Sequence, residues 1–559
     1  MNETGAAMVI KALQLEGVNT IFGIPGGSNL ALYDALGQSP INHILVRHEQ
    51  AAAHAADGYA RASGRTGVCF ATSGPGATNL VTGLANALMD SSPIVAITGQ
   101  VTTRLVGTDA FQEADIAGIT IGVTKHNYLV RDVNDIPRIM REAFYIAGTG
   151  RKGPVLVDIP RDLLAAHGCF QYPDSVDLPG YTLDSRIDEQ AVRDAADAIR
   201  SSRRPLIIAG GGVVASATED LLRSLAELCN APVAFTLMGL GILPYDHTLA
   251  LGMIGMHGLH AANKAASACD LVIGVGTRFD DRAVGVISGF ASRAKVIHID
   301  IDPAEIDKNV KTDIAMVGDA RLVLPALLEE LGQDAPEPGR TVTWLRQLGK
   351  WAASAPAGPE VEPGALRPQS VIEAIWDEIG DQAIVATEVG QHQMWAALCS
   401  RLKSPRRFIT SGGLGTMGFG FPASIGAKVA KPELPVVLVA GDGSFQMNIQ
   451  ELATAAQYDI PVVVCVLNNA GLGMVRQWQT LFYDRRYFAV DFSVNPDFVK
   501  IAEAYGLPGL QVTAEDGIRP ALRQALESGK TFVIDFRVEP QENVFPMTVD
   551  SGPVNADTT

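Results

Sequence analysis

Short runs of β-branched and aliphatic residues recur along this chain with helix-patterned stretches between them, and that alternation restricts the fold more than any other feature. The runs are His43 to Val46, Gly67 to Ala71, Ile94 to Thr98, Val155 to Ile159, Leu206 to Ala209, Leu271 to Val275, Val296 to Ile299, Ile384 to Ala386, Val436 to Ala440 and Val462 to Leu467. Parallel neighbours cannot be joined by a tight hairpin, so strands separated by helices specify parallel sheets covered on both faces. The expected class is α/β, with doubly wound parallel sheets. Two stretches break the rhythm: QYPDSVDLPGYTLDS (Gln171 to Ser185) and SAPAGPEVEPGALRP (Ser354 to Pro368), both rich in Pro and Gly with little apolar periodicity. Read as linkers, they divide the 559 residues into blocks at 1–170, 186–350 and 366–545, with a polar tail at 546–559. Each block is of ordinary domain size. No tandem repeat is present, but the first and third blocks alternate alike over similar lengths, as related folds would.

Composition narrows the function classes. With 47% hydrophobic and 19% charged residues, each block has enough apolar surface for a full core. A net charge of -17 and the lack of any Lys/Arg run argue against a nucleic-acid partner. Cys69, Cys169, Cys229, Cys269, Cys399 and Cys465 are scattered, with no C-x-x-C pair, and read as free thiols rather than a disulfide framework or zinc site. Met1 to Leu15 reads as a first amphipathic helix, neither a signal peptide nor a membrane span, and no stretch of about 18 apolar residues follows. A soluble cytoplasmic protein, with no membrane partner, is the expectation.

The sharpest motif is VVLVAGDGSFQMNIQELATAAQYDIPVVVCVLNNAGLGMV, Val436 to Val475. It reads as a strand, a Gly-Asp-Gly turn, a helix and a second strand ending in Asn468-Asn469, a βαβ crossover of roughly the usual 30 residues. If the strands are neighbours, Asp442 and Asn469 open into one crevice at their C-terminal ends, where open parallel sheets bind ligands. Glycines beside Asp442 let backbone N–H groups approach a diphosphate. One carboxylate and one amide oxygen are too few for an all-protein metal cage, but they suit Mg²⁺ completed by phosphate and water. A bare Gly-Asp-Gly is more often a structural turn with an Asp cap; the Asn pair after the next strand favours the ligand site.

That GDG and NN pairing resembles the thiamine-diphosphate enzymes. By the resemblance, Asp442, Asn469 and the Gly471 carbonyl hold the metal, and Gly443 and Ser444 help hold the diphosphate. The segment EVGQHQMW (Glu388 to Trp395) is similar to the family's second phosphate turn, with Gly390, Gln391 and His392 as contacts. Met417, in GGLGTMGFG, is similar to the apolar support that bends the cofactor into a V. Taken alone, His392 would read as a capping or core histidine and Met417 as gap-filling core.

HILVRHEQAAAHAADGYARASG places Glu49 where a strand hands over to an Ala-rich helix. Alone, it would be an acidic charge meeting a helix dipole. In the family such a Glu hydrogen-bonds the cofactor's aminopyrimidine and so promotes loss of the C2 proton. The resemblance implies that Glu49 and Asp442 meet across two chains, in a homodimer or homotetramer.

Several segments resemble the acetohydroxyacid synthases within that family. GIPGG brings Gly27, GQVTTRLVGTDAFQE brings Phe111 and Gln112, and TKHNY brings Lys125, all implied to face the reacting centre. Lys125 alone would be a solvated charge. In the middle block, GMIGMHGLHAANKAASACDLVIGVGTRFDDR and VIHIDIDPAEIDKNVKTDIAMVGDA resemble the family's flavin-binding stretches. Arg151, Gly210, Gly211, Gly212, His257, Arg278, Asp300 and Asp319 are the implied FAD positions. Arg278 is also implied to hold the acceptor's carboxylate, its simpler reading being an ion pair with Asp280 or Asp281. Met474 and Trp478 are implied to wall the acceptor pocket, although residues at i and i+4 also pack on one helix face. Ile24, Thr102-Thr103 and Ala470-Gly471 depart from the commonest family pattern.

The implied fold is three such domains with the flavin site central. The implied reaction decarboxylates pyruvate and joins its two-carbon unit to pyruvate or 2-oxobutyrate, serving valine, leucine and isoleucine synthesis. A small regulatory subunit is a possible partner. Alternatives are a pyruvate oxidase or decarboxylase, another carboligase of the family, or a catalytically silent assembly subunit. Glyoxylate carboligase is disfavoured by the presence of Glu49, and the silent subunit by intact Glu49, Asp442 and Asn469.

Overall fold

The computed structural model describes residues 2–183, 186–285, 290–337, 339–354, 365–549 and 552–554. Most of the second linker and the ends of the first linker and the tail lie outside them. Eighteen strands form three six-stranded sheets, every pair in them parallel. The first runs in space Asn42–Leu45, Thr20–Gly23, Gly67–Ala71, Ile94–Gln100, Val155–Pro160, His126–Leu129. The third runs Phe408–Ile409, Ile384–Thr387, Val436–Gly441, Val463–Asn468, Phe532–Arg537, Gly509–Val512. Numbered in chain order within each sheet, both read 2-1-3-4-6-5, so the first and third sheets share one topology. The middle sheet, Ala250–Met253, Val233–Phe235, Pro205–Ala209, Leu271–Val275, Lys295–Asp300, Ile314–Val317, reads 3-2-1-4-5-6, the dinucleotide-binding order. Central strands such as Val436–Gly441 and Leu271–Val275 are buried almost throughout, as continuous apolar runs between helix layers must be.

Two local readings are corrected. The chain does not begin with a helix: Asn2–Thr4 pairs antiparallel with His167–Cys169, and only then does helix Gly5–Leu15 start, with the Thr4 side chain accepting from the Ala7 N–H. Thr4 is a good cap and a poor helix interior, which is why the boundary falls there. The first linker is no free tether either. Tyr172 and Leu178 pack on the first domain's core, and the Lys125 Nζ donates to the Tyr181 hydroxyl at 3.1 Å.

Helix Glu49–Ser63 of the first domain lies against helix Gly420–Ala430 of the third. A Cβ on Gly58 would collide with the Ala423 carbonyl, and one on Gly426 with the Ala55 carbonyl. Both glycines are required by the close backbone approach. At one end of this contact the half-buried Arg61 pairs with Asp57 and Asp90 at 2.6 and 2.9 Å, and Asp90 accepts the Gly412 and Gly413 N–H groups at 3.0 and 2.7 Å. The Gly-rich loop carrying Met417 is thereby tied to the first domain.

Candidate active site

Strands Val436–Gly441 and Val463–Asn468 are direct neighbours, so the turns that follow them share one crevice. Gly390, Gln391, His392, Trp395, Met417, Asp442, Gly443, Ser444, Asn469 and Gly471 all line it. Glycine at 441 is needed because a Cβ there would stand 2.8 Å from His392 Nδ1. Among the described residues, three buried polar atoms in this crevice have no partner: Asp442 Oδ1, His392 Nε2 and Gln391 Oε1. Buried polar atoms are rarely left so, and their convergence marks a place for a ligand. Burial pushes the Asp442 carboxyl up to about 6 and the His392 imidazole down to about 3.

The residues fit a metal and a diphosphate, with one adjustment. Among the described residues no group of three His, Cys, Asp or Glu gathers, so a cation here must draw on amide and backbone oxygens and on the ligand itself. Asp442 keeps one free oxygen, while Asn495 Nδ2 holds the other at 2.7 Å. The Gln391 side chain is not a phosphate donor. Its Nε2 donates to Gln477 Oε1 at 2.9 Å and to the Glu542 carbonyl at 3.1 Å, which leaves only an acceptor facing the crevice. Ser444 Oγ likewise donates to the Gly441 carbonyl, at 3.3 Å. Anion contacts from Gln391 and Ser444 therefore fall to backbone N–H groups in the first turns of helices Gln391–Leu398 and Asp442–Phe445. Met417 sits on a loop held by Glu388, whose buried carboxyl accepts from the Gly418 and Phe421 N–H groups at 2.7 and 3.0 Å and is pushed by burial up to about 7.

Beside the crevice, and sharing Val389, Gly390 and Met474 with it, opens a cavity of about 1520 Å³ between the middle sheet and its neighbours. Lys125, Arg151, Gly211, Gly212, His257, Arg278, Asp300, Asp319 and Trp478 line it. This collects the flavin positions apart from Gly210, which is buried under the turn with its Cα against Gly276, where a Cβ would collide. Several groups in the cavity are already paired. Arg151 meets Asp302 and Glu305 at 3.0 and 2.6 Å, Asp319 caps helix Ala320–Gln333 and pairs with Arg321, and Arg278 reaches Asp280 at 3.3 Å. Burial pushes Asp300 up to about 6 and His257 down to about 4. Lys125 is not a solvated charge: its Nζ donates to the Ile146 and Thr149 carbonyls, and burial brings it down to about 8. The cavity's size and its Gly211-Gly212 turn at the end of strand Pro205–Ala209 suit a dinucleotide.

Glu49 belongs to neither cavity. It opens helix Glu49–Ser63 and its Oε2 accepts from Asn79 Nδ2 at 2.9 Å. A Cβ on Gly76 would approach Glu49 Oε1 to 3.2 Å, and Gly74 is packed under Gln112, so the SGPGATN turn and Gln112 form one cluster with the glutamate. Gly27 is exposed on the same domain, and Phe111 is 87% exposed. Within one chain these residues are not brought to Asp442. Asn495 and Gln477 stand in no motif that points to the site, whereas Asn79 closes the segment Ser73 to Asn79 (SGPGATN). For the first two the sequence carries no signal beyond the Asn-Pro turn at Asn495.

Three family models match in the order of the sheets. They describe the thiamine pyrophosphate enzyme N-terminal binding domain over residues 3–119, its central domain over 192–327 and its C-terminal binding domain over 388–536. The chain is thus built as a thiamine pyrophosphate enzyme. Among curated relatives, acetolactate synthase of Mycobacterium bovis is 50% identical, covering 97% of this chain and 89% of its own. The acetolactate synthase large subunit of Parasynechococcus marenigrum is 49% identical, covering 99% and 90%, and the isozyme 3 large subunit of Escherichia coli 45%, covering 98% and 97%. The chain belongs to the acetolactate synthase large-subunit family.

Proposed function

We propose that this chain is the catalytic subunit of an acetolactate synthase, taking pyruvate and a second 2-oxo acid to 2-acetolactate or 2-aceto-2-hydroxybutyrate. The observation that carries the reading is the convergence of Asp442 Oδ1, His392 Nε2 and helix-start N–H groups in a crevice that opens into a larger, mostly apolar cavity. Thiamine diphosphate, when bound, supplies the nucleophilic carbon that allows a 2-oxo acid to be decarboxylated and its acyl unit transferred. Asp442, Asn469 and the Gly471 carbonyl would hold Mg²⁺, and Gly390, Gly443 and Ser444 would bring the diphosphate against backbone N–H groups. Met417 would support the bent cofactor. FAD would occupy the large cavity along Arg151, Gly211, Gly212, His257, Asp300 and Asp319.

The acceptor would sit where Arg278, Met474 and Trp478 line the cavity. Arg278 carries a fixed guanidinium fork suited to a carboxylate, and Met474 and Trp478 present apolar surface to the chain beyond it. A second copy of the chain would bring Glu49, Gly27, Phe111 and Gln112 to Asp442, the Glu49 carboxyl bonding the aminopyrimidine ring nitrogen. The exposure of Phe111 and the separation of Glu49 from both cavities support a shared site. The name of the Escherichia coli relative supports a further, small subunit, and six free cysteines suit the cytoplasm. No described helix is long and apolar enough to cross a membrane. Product analysis tests the reading. Pyruvate alone should give acetolactate, and pyruvate with 2-oxobutyrate should add acetohydroxybutyrate. Acetaldehyde alone, or acetate with flavin reduction, would replace the reading with decarboxylase or oxidase.

A further inference from the structure

Gln477 lies on helix Gly473–Phe482, one residue before Trp478, and is fully buried. Its amide is read at both ends by the backbone of one residue in the segment that closes the chain. Nε2 donates to the Val544 carbonyl at 3.0 Å, and Oε1 accepts the Val544 N–H at 2.8 Å. This pairing allows only one orientation of the amide, since a flip would set donor against donor and acceptor against acceptor. The same Oε1 accepts from Gln391 Nε2, which also reaches the Glu542 carbonyl. Gln391 is thereby fixed with its Oε1 in the crevice, buried and unpartnered.

What that oxygen faces is visible at Gly473, where a Cβ would collide with both Gln391 Oε1 and Asn469 Nδ2. The acceptor of one amide and the donor of the other thus lie side by side around Gly473 without a hydrogen bond between them. An Asn469 amide with its nitrogen on the Gln391 side turns its oxygen the other way, and oxygen is what a hard cation takes. The same closing segment is pinned at Glu542 by Arg367, at 2.9 Å, and reaches the flavin-side cavity through the Thr548 N–H, which donates to the Met256 carbonyl at 2.7 Å.

We propose that Gln477 is a positioning residue: through Gln391 it orients the Asn469 amide for the metal and couples the metal site to the 542–548 segment. The proposal rests on the metal-diphosphate reading above and deepens it. By reciprocity, a cation that fixes Asn469 must also hold the segment more firmly.

The test uses the full-length protein with Mg²⁺ titrated at fixed thiamine diphosphate, followed by tryptophan fluorescence. Hydrogen exchange of peptides covering 540–548 is measured with and without both. Wild type should gain protection there on binding. Gln477→Leu should bind Mg²⁺ at least about tenfold more weakly, as loss of a partner that orients a metal ligand typically does, and its segment should no longer respond. Gln391→Met should weaken Mg²⁺ similarly, and the double variant should be no worse than the weaker single, because both cut one chain of contacts. Should Gln477→Leu not fold, Gln391→Met and Gln477→Glu carry the test. Buried and protonated, the glutamic acid keeps an acceptor and a donor and should restore Mg²⁺ binding to within a few-fold of wild type. A lowered melting point with Mg²⁺ affinity within twofold of wild type, or effects that add in the double variant, would overturn the coupling alone. Failure of wild type to bind Mg²⁺ with thiamine diphosphate would overturn the reading beneath it as well.

Discussion

Asn495→Ala should loosen the metal site without touching any direct ligand. Asn495 Nδ2 donates to Asp442 Oδ2 at 2.7 Å and to Asn468 Oδ1 at 2.9 Å, so one amide fixes the carboxylate and braces the end of the neighbouring strand. Asp442 is 1% exposed, and Asn495 is the only side chain recorded as donating to its carboxylate among the described residues. A hydrogen bond to a charged group contributes about 1.5–3 kcal/mol, and each 1.4 kcal/mol is about tenfold in an equilibrium constant. If the whole loss falls on the metal-bound state, Mg²⁺ affinity drops by about 10–100-fold. The removed bond also held the Asp442 carboxyl down against burial, which already brings it to about 6, so the measurement belongs at pH 8, where protonation does not compete. Mg²⁺ is titrated calorimetrically into protein at saturating thiamine diphosphate, beside a melting curve of the metal-free protein. An affinity within twofold of wild type with a lowered melting point would refute the reasoning, leaving Asn495 as packing for the mostly exposed 483–497 stretch.

Glu49→Gln should slow exchange of the cofactor's C2 proton far more than it weakens cofactor binding; unchanged exchange would remove Glu49 from the chemistry. Trp478 is 38% exposed, with Arg282 over its ring at 5.8 Å, so Trp478→Leu should cost little stability while lowering the preference for 2-oxobutyrate over pyruvate by about tenfold, one methylene in an apolar pocket being worth roughly 1–3 kcal/mol. A competition assay giving an unchanged product ratio would exclude it from the acceptor pocket. His54 is buried against Phe419, and burial lowers it from 6.5 to about 4. The folded protein therefore binds this proton more weakly than the unfolded chain, and the stability it contributes is full above pH 6.5 and lost as pH falls toward 4. About 2–3 kcal/mol should be gone at pH 4.5. His54→Gln should lose correspondingly less between pH 7 and 4.5 in urea melts, and an equal loss would contradict the assignment.

The parts of this fold legible in the sequence are those whose apolar runs are long and continuous. Val436–Gly441 and Leu271–Val275 announce themselves because strands buried on both faces need unbroken aliphatic residues. Phe408–Ile409 is two residues long, and Ala250–Met253 and Ile314–Val317 are partly exposed edge strands, so none of them carries a pattern separable from a loop. The central strand Phe532–Arg537 was legible in principle, but Asp535 and Arg537 interrupt its apolar run. The site divides in the same way. Asp442 and Asn469 stand in motifs whose chemistry dictates residue type at fixed places. Gln477 and Asn495 act through side chains that meet the site only after folding, and nothing in their own neighbourhoods distinguishes them from ordinary helix and turn residues. Gly210 differs again: glycine is required there because a Cβ would collide with the Gly276 carbonyl, whatever else its backbone contacts.

The proposal that two chains share each site has a mechanical ground as well as a geometric one. Helices Glu49–Ser63 and Gly420–Ala430 meet with no room for a Cβ at Gly58 or Gly426, and the Arg61, Asp57 and Asp90 cluster locks the far end of that contact into the Met417 loop. Such a contact resists sliding, because any shift brings backbone against backbone and strips buried charges of their partners. Glu49 begins the very helix that is locked, and Arg47, just before it, gives its N–H to the buried Glu451 of the third domain at 3.0 Å. A hinge that swung Glu49 into its own chain's crevice would have to break all of these at once. The identical 2-1-3-4-6-5 order of the first and third sheets offers the cheaper solution: two domains of one topology can be paired face to face between copies by a two-fold axis. Each copy then presents a Glu49 to the other's Asp442 with no internal movement, and a monomeric form of the chain should bind the diphosphate half of the cofactor yet leave its C2 proton unactivated.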